Sequence, residues 1–311
     1  MEKRTVLVIG SANVDLVAGV PRCPKAGESL IGSSFKTIPG GKGANQAVAA
    51  ARLGARTYFA GCVGDDGFGA MQRASLGDAG VDVSYLKTHP SEPTGTAVIF
   101  VAETGQNSIV VIPSANFGIT PEDIRDLRSV FETADAVVLQ LEIPLETVEA
   151  ALDMARETEV LSILDAGPAQ AVPDTIIRKA DLVSPNETEA EAMTGIAVTS
   201  LKAAREAAAC LMAKGAREVV LKLGVSGALY YGKETFYMPA FPVKTVDTTA
   251  AGDAFTAALA CTWNVLPREA CIRYANAVGA LATTVAGAQP SMPTESAVRA
   301  FLKEQGECGV K

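Results

Sequence analysis

The fold is decided by residues 136–164, which read AVVLQLEIPLETVEAALDMARETEVLSIL. An apolar run at Ala136–Leu141 is followed by an amphipathic helical pattern at Leu145–Arg156 and by a second apolar run at Val160–Leu164. Strands that read as continuous apolar runs on either side of a helix are typical of a parallel sheet covered on both faces. This stretch therefore predicts a strand–helix–strand unit of an α/β protein.

The same alternation extends along most of the chain. Strand-like runs and helical patterns on both sides of this unit predict one doubly wound, mainly parallel sheet. The predicted strands are Thr5–Ile9, Asp181–Ser184, Val219–Leu223 and Ala228–Tyr231, and the predicted helices are Asn45–Leu53, Leu201–Lys214, Asp253–Trp263 and Arg268–Val285.

Two segments contain strand-like sequence without an intervening helix. In the second of them, Val98–Ala102 and Ser108–Ile112 flank a turn that contains Gly105, which is a hairpin signal. These strands could form an edge of the main sheet, but two separate β-only insertions favour a small β-sheet lid. We therefore divide the chain into an α/β core of residues 1–14, 40–92 and 114–311, with a polar tail at 303–311, and a β lid of residues 15–39 and 93–113.

Composition limits the classes of function. The net charge of −8 leaves no broad basic surface for a nucleic-acid backbone, so we expect no nucleic-acid binding. No run of about 18 uncharged apolar residues is present, and Met1–Arg4 leads into a strand rather than into a signal-peptide core. We expect a cytoplasmic protein without membrane contact, and an anionic ligand would require positive potential concentrated locally.

Residues 40–46, which read GGKGANQ, stand directly before an Ala-rich helix. Glycines let a backbone approach a ligand closely, and Asn45 offers both a donor and an acceptor to hydroxyl groups. The pattern suits a polyhydroxyl ligand, although a glycine-rich helix start without a ligand remains open. It is not a Walker A loop, because Gly43 follows Lys42.

Residues 247–255, which read DTTAAGDAF, open a second helix. The small residues Ala250, Ala251 and Gly252 leave the amides of the first turn exposed, which predicts an anion hole for a phosphoryl group. Asp253 lies in that same turn, where a carboxylate can accept the proton of an attacking hydroxyl. The alternative is that Asp253 only complements the helix dipole.

Two further segments carry weaker signals. Asn186 and Glu189 follow a predicted strand and could hold phosphates through Mg²⁺ and its waters, or could simply cap a helix. The run Leu223–Gly227 turns between two strands, and its glycines could be turn residues alone.

In this order the four segments resemble the motifs of the PfkB/ribokinase family of carbohydrate kinases. Residues 40–47 look like the first family motif in the form found in ribokinases, and residues 247–255 look like the second. Supporting matches lie at 139–142, 184–191 and 287–291. The resemblance covers essentially the whole chain and implies a ribokinase-like fold with a small lid. It also implies ATP-dependent phosphorylation of D-ribose to ribose 5-phosphate.

The resemblance further implies roles for individual residues. Asp253 would be the catalytic base, beside an anion hole of Ala250, Ala251 and Gly252. The sugar would be surrounded by Asn13, Asp15, Gly41, Lys42, Gly43, Asn45, Glu142 and Asp253. ATP and its Mg²⁺ would be surrounded by Asn186, Glu189, Lys222, Gly224, Ser226, Gly227, Gly252 and Asn276. A K⁺ ion beside the anion hole would be held largely by main-chain carbonyls of Asp247, Thr249, Ala282, Val285, Gly287 and Ser291.

Some alternatives stay open within this resemblance. Lys222 and Asn276 stand where threonine and histidine are common, which leaves their nucleotide contacts in question. The substrate could be fructose, 2-keto-3-deoxygluconate or a ribonucleoside, although the 40–46 run favours ribose. A non-catalytic sugar-binding regulator would not need the base Asp253. Because lids of this family often pair, the resemblance also implies a homodimer through the lid.

Overall fold

The computed structural model describes residues 3–306; the remaining ends of the predicted core and tail lie outside this range. The strands are β1 (Thr5–Ile9), β2 (Asn13–Val20), β3 (Ser34–Gly40), β4 (Arg56–Gly64), β5 (Asp82–His89), β6 (Gly95–Ala102), β7 (Asn107–Ile112), β8 (Ala136–Leu139), β9 (Leu161–Asp165), β10 (Leu182–Ser184), β11 (Glu218–Lys222), β12 (Ala228–Tyr231) and β13 (Thr235–Met238). The helices are α1 (Lys42–Arg52), α2 (Gly67–Asp78), α3 (Pro121–Asp126), α4 (Arg128–Phe131), α5 (Leu145–Glu157), α6 (Asp174–Ile177), α7 (Glu187–Thr194), α8 (Leu201–Ala213), α9 (Ala251–Thr262), α10 (Arg268–Ala282) and α11 (Glu295–Glu304).

A nine-stranded sheet forms the body, with the strand order β13-β12-β11-β10-β9-β8-β1-β4-β5. All neighbours from β11 to β5 pair in parallel, and the β11–β12 and β12–β13 pairs at one edge are antiparallel. The chain leaves β1 toward β4 on one side and later returns to β8 on the other side. This reversal of direction creates a crevice at the carboxyl ends of β1 and β8, where ligands of such sheets bind.

Helices cover both faces of this sheet because successive strand residues point to opposite sides. In β1, the side chains of Val6 and Val8 pack in the same apolar cluster as residues of α1, α9 and α10. The side chains of Leu7 and Ile9 pack with α5 and α8 on the other face. The predicted doubly wound α/β fold is thus confirmed.

The four remaining strands form a separate sheet with the order β3-β2-β6-β7. The alternative that they extend the main sheet is therefore wrong. Strands β2 and β6 begin and β3 ends in one row, because Asn13 of β2 pairs with both Gly40 of β3 and Gly95 of β6. The Gln72 side chain on α2 donates hydrogen bonds to the carbonyls of Asn13 and Gly40, which ties both strands to the body at this row.

Several predicted element ends differ from those observed. Helix α1 begins at Lys42 rather than at Asn45, because Gly41 with φ 87° supplies the cap. Helix α10 ends at Ala282 rather than at Val285, and the hydroxyls of Thr283 and Thr284 donate to carbonyls of its last turn. Within residues 3–306, no helix combines the length and apolar character needed to cross a bilayer.

Candidate active site

The predicted site residues converge on the carboxyl ends of the central strands. Helices α1 and α9 begin at this edge and pack against each other through small residues such as Ala44, Ala47 and Ala254, which are fully buried. Their close approach brings the first turns of the two helices together. The glycine motif before α1 and the Asp253 motif at α9, which lie far apart in sequence, therefore share one site.

Asp253 is buried where these two helix starts meet. The Asn45 amide donates to Asp253 Oδ2 at 2.8 Å, and the Gln46 amide donates to Oδ1 at 3.2 Å. Burial raises the pKa of Asp253 to about 6 against the opposing charge of Lys42, while the charge of Asp165 adds to the rise. A carboxyl with this pKa can be ionised near neutral pH and can still accept a proton.

A second carboxylate, Asp165 at the end of β9, lies behind Asp253. Its Oδ2 accepts hydrogen bonds from Gln46 Nε2 at 2.9 Å and from Thr256 Oγ1 at 2.8 Å. Its Oδ1 accepts from Lys222 Nζ at 3.0 Å. Burial opposes ionisation of Asp165, but the ammonium groups of Lys222 and Lys42 outweigh it and hold the pKa below its usual value. Gln140 fixes the orientation of Gln46 by donating to its Oε1 at 2.6 Å.

These partners were not singled out from the sequence. Gln46 lies inside the glycine motif, and Asp165 directly follows a predicted apolar strand. The signal that could have found Asp165 is its place at the carboxyl end of a parallel strand, where ligand-binding groups of doubly wound sheets gather.

Glu142 organises a polar pocket between β1 and β8. Its Oε2 accepts from the Ser11 hydroxyl, from the Lys42 amide N–H at 3.2 Å and from Asn13 Nδ2 at 3.4 Å. Asn13 in turn accepts at Oδ1 from Asn116 Nδ2 at 2.6 Å. Seven of the eight residues predicted around the sugar thus lie on three adjoining segments, and they are Asn13, Asp15, Gly41, Lys42, Gly43, Asn45 and Glu142.

The glycines of this pocket are required by close backbone packing. A Cβ built on Gly43 would stand 2.7 Å from the Ser11 amide nitrogen, and one on Gly41 would stand 2.5 Å from that of Asn13. Gly41 also has a φ of 87°, which side chains rarely adopt. The glycines therefore bring α1 against the end of β1, whether or not a ligand is bound.

Asp15 on β2 faces the same pocket from the small sheet. Its side chain packs directly over Gly40, where a Cβ would lie 2.6 Å from Oδ2. Burial raises the pKa of Asp15 to about 7, and the charges of Glu142 and Asp253 add to the rise. Three carboxyl groups thus lie close enough for their charges to interact, an arrangement that suits a polar ligand.

A cavity of about 570 Å³ extends from Asp253 and Lys42 toward α10. Of the predicted nucleotide residues, Ser226 does not line it. Those that do are Asn186, Glu189, Lys222, Gly224, Gly227, Gly252 and Asn276. The residues predicted to bind ATP, apart from Ser226, therefore line one cavity, which meets the polar pocket at Asp253.

Two of these residues also have structural roles. The Asn186 side chain accepts from the Glu189 amide N–H at 2.8 Å, and Glu189 Oε2 accepts from the Asn186 amide N–H at 2.7 Å, which is a capping box at α7. Glu189 still faces the cavity, with Lys42 Nζ 3.8 Å and Lys222 Nζ 4.0 Å from its carboxylate. Asn276 donates to the carbonyls of Met238 and Pro239.

Ala250 turns the chain into α9 with a φ of 59°, in the left-handed region that is unusual for a residue with a side chain. The helix then starts at Ala251, and Gly252 and Asp253 line the cavity in its first turn. Main-chain N–H groups at a helix start favour an anion. The arrangement therefore places an anion site beside the buried carboxylate.

The segments predicted for K⁺ are partly brought together. Asp247 Oδ2 accepts from the Gly287 amide N–H at 2.8 Å, and Oδ1 accepts from the Thr249 amide N–H at 2.9 Å. Ser291 donates to the Ala288 carbonyl, Ala282 ends α10, and Val285 lies exposed in the turn that follows. Together with the Val246 and Asp247 amides, which donate to the Thr283 carbonyl, these contacts join the turn before α9 to the segment after α10. Across the described part of the chain, no group of three or more His, Cys, Asp or Glu side chains could hold a metal ion.

Known proteins match this chain over nearly its full length. The family model of pfkB family carbohydrate kinases matches residues 3–295. A ribokinase of Bacillus subtilis is 40% identical over 96% of this chain and 99% of its own length. A deoxyribokinase of Salmonella typhi is 36% identical over 96% of this chain and 98% of its own. The structure of Arabidopsis thaliana ribokinase complexed with ribose and ATP superposes with a TM-score of 0.89 at 34% identity, covering 97% of this chain and 99% of that one.

Proposed function

The chain belongs to the pfkB family of carbohydrate kinases, and from this premise we propose that it transfers the γ-phosphoryl group of ATP to D-ribose, giving ribose 5-phosphate and ADP. It is a sugar kinase. The observation that carries the assignment is the position of Asp253, a buried carboxylate clamped by two amides where a polar pocket meets a cavity. A hydroxyl in the pocket and a phosphate in the cavity would meet at this point.

In the proposed reaction, the polar pocket holds ribose and Asp253 acts on its 5-hydroxyl. Asn13, Asp15, Asn45 and Glu142 supply acceptors and donors for the sugar hydroxyls, while the backbone around Gly41 and Gly43 allows close approach. Asp253 takes the hydroxyl proton as the oxygen attacks phosphorus. The amides of the first turn of α9 stabilise the charge of the transferred group, because they are fixed before the reaction begins.

The cavity beyond Asp253 would hold ATP. Gly224 and Gly227 let the turn after β11 approach the nucleotide, and Asn276 closes the far end. Glu189 offers the hard oxygen atoms that suit Mg²⁺, alone or through bound waters. When bound, Mg²⁺ neutralises part of the phosphate charge. Asn186 would support this arrangement by fixing the first turn of α7, and Ser226 lies in the same turn as Gly224.

We also propose a K⁺ ion at the Asp247 and Gly287 segments. Carbonyls of Asp247, Thr249, Ala282, Val285 and Gly287, together with Ser291, would hold it. Its charge would fix the turn before Ala250 and so aim the anion-hole amides, as outer-shell partners commonly do for ligands. The test is kcat with MgATP in potassium, sodium or tetramethylammonium buffer. Equal rates in all three would refute the ion, while potassium activation that disappears in Asp247→Ala would support it.

The small sheet, residues 15–39 and 93–113, would act as a lid over the sugar. Closure would exclude water and protect ATP from hydrolysis. By register, Asp15 shares one face of this sheet with Ala97, Ile99 and Val111. The opposite face carries Leu16, Val98, Phe100, Phe35 and Val110, which are apolar and at least partly exposed. We propose that this outer face pairs with that of a second copy.

A coupled ADP-release assay tests the proposed reaction. The panel contains ribose, 2-deoxyribose, fructose, 2-keto-3-deoxygluconate and a ribonucleoside, with MgATP and potassium. We expect the highest kcat/KM with ribose. A higher value with another compound would replace ribose as the substrate, and sugar binding without ADP release from any of them would favour a regulator.

A further inference from the structure

The ammonium group of Lys222 is placed where the two halves of the site meet. Lys222 ends β11 and is 8% exposed, so its long side chain is buried almost to the tip. A methyl group built on Gly252 would lie 3.7 Å from Lys222 Nζ, which places the ammonium beside the first turn of α9. Lys222 and Gly252 both line the cavity.

Asp165 determines this position of Lys222. It is fully buried, and its Oδ1 accepts from Lys222 Nζ at 3.0 Å. Its other oxygen binds Thr256 and Gln46, so the carboxylate itself cannot rotate without losing both contacts. A buried carboxylate held at three points is a rigid support for an ammonium group.

Asp165 is also connected to the base. Gln46 Nε2 lies 2.9 Å from Asp165 Oδ2 and 3.2 Å from Asp253 Oδ1, so one amide group bridges the two carboxylates. The Gln46 orientation is set by Gln140, which donates to its Oε1. The same carboxylate therefore fixes a cation on the nucleotide side and an amide on the sugar side.

We propose that Lys222 is a catalytic residue whose ammonium group contacts the γ-phosphoryl group of ATP during transfer, and that Asp165 is the positioning residue which holds Lys222 there and aligns Asp253 through Gln46. This inference rests on the proposed kinase function. In the step, the bond from the γ-phosphorus to the β–γ bridging oxygen breaks and a bond to the sugar oxygen forms. The hydroxyl proton passes to Asp253, the bridging electron pair leaves with ADP, and Lys222 keeps its protons throughout.

The geometry assigns Lys222 to the third phosphate for two reasons. The γ-phosphorus must come within bonding reach of a hydroxyl that hydrogen-bonds Asp253, and Lys222 Nζ stands beside the helix turn that contains Asp253. Lys42 Nζ and Lys222 Nζ also flank the Glu189 carboxylate at 3.8 and 4.0 Å, so the positive groups converge on the inner end of the cavity. A fixed cation at this place stabilises charge that develops on the transferred group.

The test compares the affinity of ADP with that of a non-hydrolysable ATP analogue, both with MgCl₂, by titration calorimetry. In Lys222→Met we expect the analogue to bind about 10-fold or more weakly, as for loss of a charge-assisted hydrogen bond, and ADP to change less than about 2-fold. Lys214→Met is the matched control, because Lys214 forms a surface ion pair with Asp174 far from the site. It should leave both affinities unchanged.

A second variant tests whether Lys222 contacts a phosphate or only neutralises the charge of Asp165. Lys222→Met leaves a buried carboxylate without its cation, whereas Lys222→Met/Asp165→Asn removes both charges and keeps the packing. We expect the double variant to fold and still to bind the ATP analogue about 10-fold or more weakly. Recovery of wild-type affinity in the double variant would overturn the proposal, since Lys222 would then only neutralise Asp165.

Two other outcomes would also overturn it. If Lys222→Met bound the ATP analogue with unchanged affinity, Lys222 would not contact the phosphates. If the affinities for ADP and for the analogue fell equally, Lys222 would contact the α- or β-phosphate instead. Asp165→Asn should lower kcat about 10-fold or more at unchanged ribose affinity, and an unchanged kcat would refute the positioning role. Because the binding measurements need no sugar, a failure of ribose as substrate is distinguished from a failure of this proposal.

Discussion

At the scale of single residues, Asp253 must be both buried and ionised. Burial in the junction between pocket and cavity disfavours its charge, and the amides of Asn45 and Gln46 together with the charge of Lys42 restore it in part. The result is a carboxyl group whose pKa of about 6 lies close to neutral pH, as the proposed base requires.

The pH profile follows from this pKa. Because only the ionised carboxylate accepts a proton, kcat should be constant above about pH 7 and should fall about tenfold per unit below a pKa of about 6. Lys42, Asp165, Glu142 and Asp15 are the charged groups that face Asp253 and set this value. The measurement is ADP release at saturating substrates over a range of pH. A profile that stays flat down to about pH 4.5 would contradict the assignment of the base.

The variant Asp253→Asn keeps the shape of the side chain but removes the base. We expect kcat to fall about 10²–10⁴-fold, the usual contribution of general-base catalysis, while ribose still binds by calorimetry. Asp153→Asn is the matched control, because Asp153 forms an exposed ion pair with Lys179 on the surface. Retention of more than about half of the wild-type kcat in Asp253→Asn would exclude the base role.

The raised pKa of Asp15 predicts that this residue lowers the stability of the fold near neutral pH while it supports ribose binding. Its pKa is 3.8 when unperturbed and about 7 in the fold, so across that interval the folded state keeps a proton that the unfolded state has released. The contribution of Asp15 to stability is therefore complete below about pH 4 and is lost as pH rises to about 7. Asp15→Asn should stabilise the fold by about 1–4 kcal/mol at about pH 8 and by less at about pH 5, with a larger rise of the melting temperature at the higher pH, and should weaken ribose binding.

Thermal melts at the two pH values check the stability, and calorimetry with ribose checks the binding. Equal shifts of the melting temperature at both pH values would contradict the raised pKa of Asp15 in the fold.

The sequence made Asp253, Asn45 and Glu142 candidate site residues because each lies in a recognisable segment. It did not identify Asp165 or Thr256, and it gave Gln140 no role, because their importance depends on contacts between residues that are 57 or more positions apart. Spacing along a chain carries no information about such contacts.

At the scale of helices and strands, regular apolar patterns gave reliable boundaries. Helix α5 was predicted at Leu145–Arg156 and observed at Leu145–Glu157. Helix α2 and its neighbouring strands β4 and β5 were not predicted. The α2 sequence contains three glycines, which are poor helix formers, and β5 alternates polar and apolar residues at an edge of the sheet.

The turn into α9 gives a prediction at this scale. Ala250 adopts a φ of 59°, a conformation that glycine tolerates and β-branched residues do not. Ala250→Val should therefore lower stability by about 1–3 kcal/mol and reduce kcat, whereas Ala250→Gly should change stability by less than about 1 kcal/mol. Urea unfolding and ADP release measure the two effects. If valine and glycine behaved alike, the left-handed turn would not be a feature of the active protein.

At the scale of the whole molecule, the outer face of the lid sheet predicts the assembly. Phe35 is 66% exposed and Val110 is 59% exposed on the same face, which is unusual for such large apolar side chains. We expect light scattering to give twice the chain mass of 32.1 kDa. Val110→Lys should convert the protein to a monomer, and the control Val265→Lys, on the body, should not. A wild-type mass of one chain would refute the dimer.

The row formed by Asn13, Gly40 and Gly95 determines how the small sheet could be replaced by protein engineering. Both lid insertions leave and re-enter the body within this row, because Asn13 pairs with Gly40 and with Gly95, and Thr96 pairs with Ile112. Excising either insertion would leave chain ends about one strand spacing apart, which a short turn could rejoin at little entropic cost. We therefore expect that the small sheet could be replaced by one of a different shape without a change in the connectivity of the nine-stranded body.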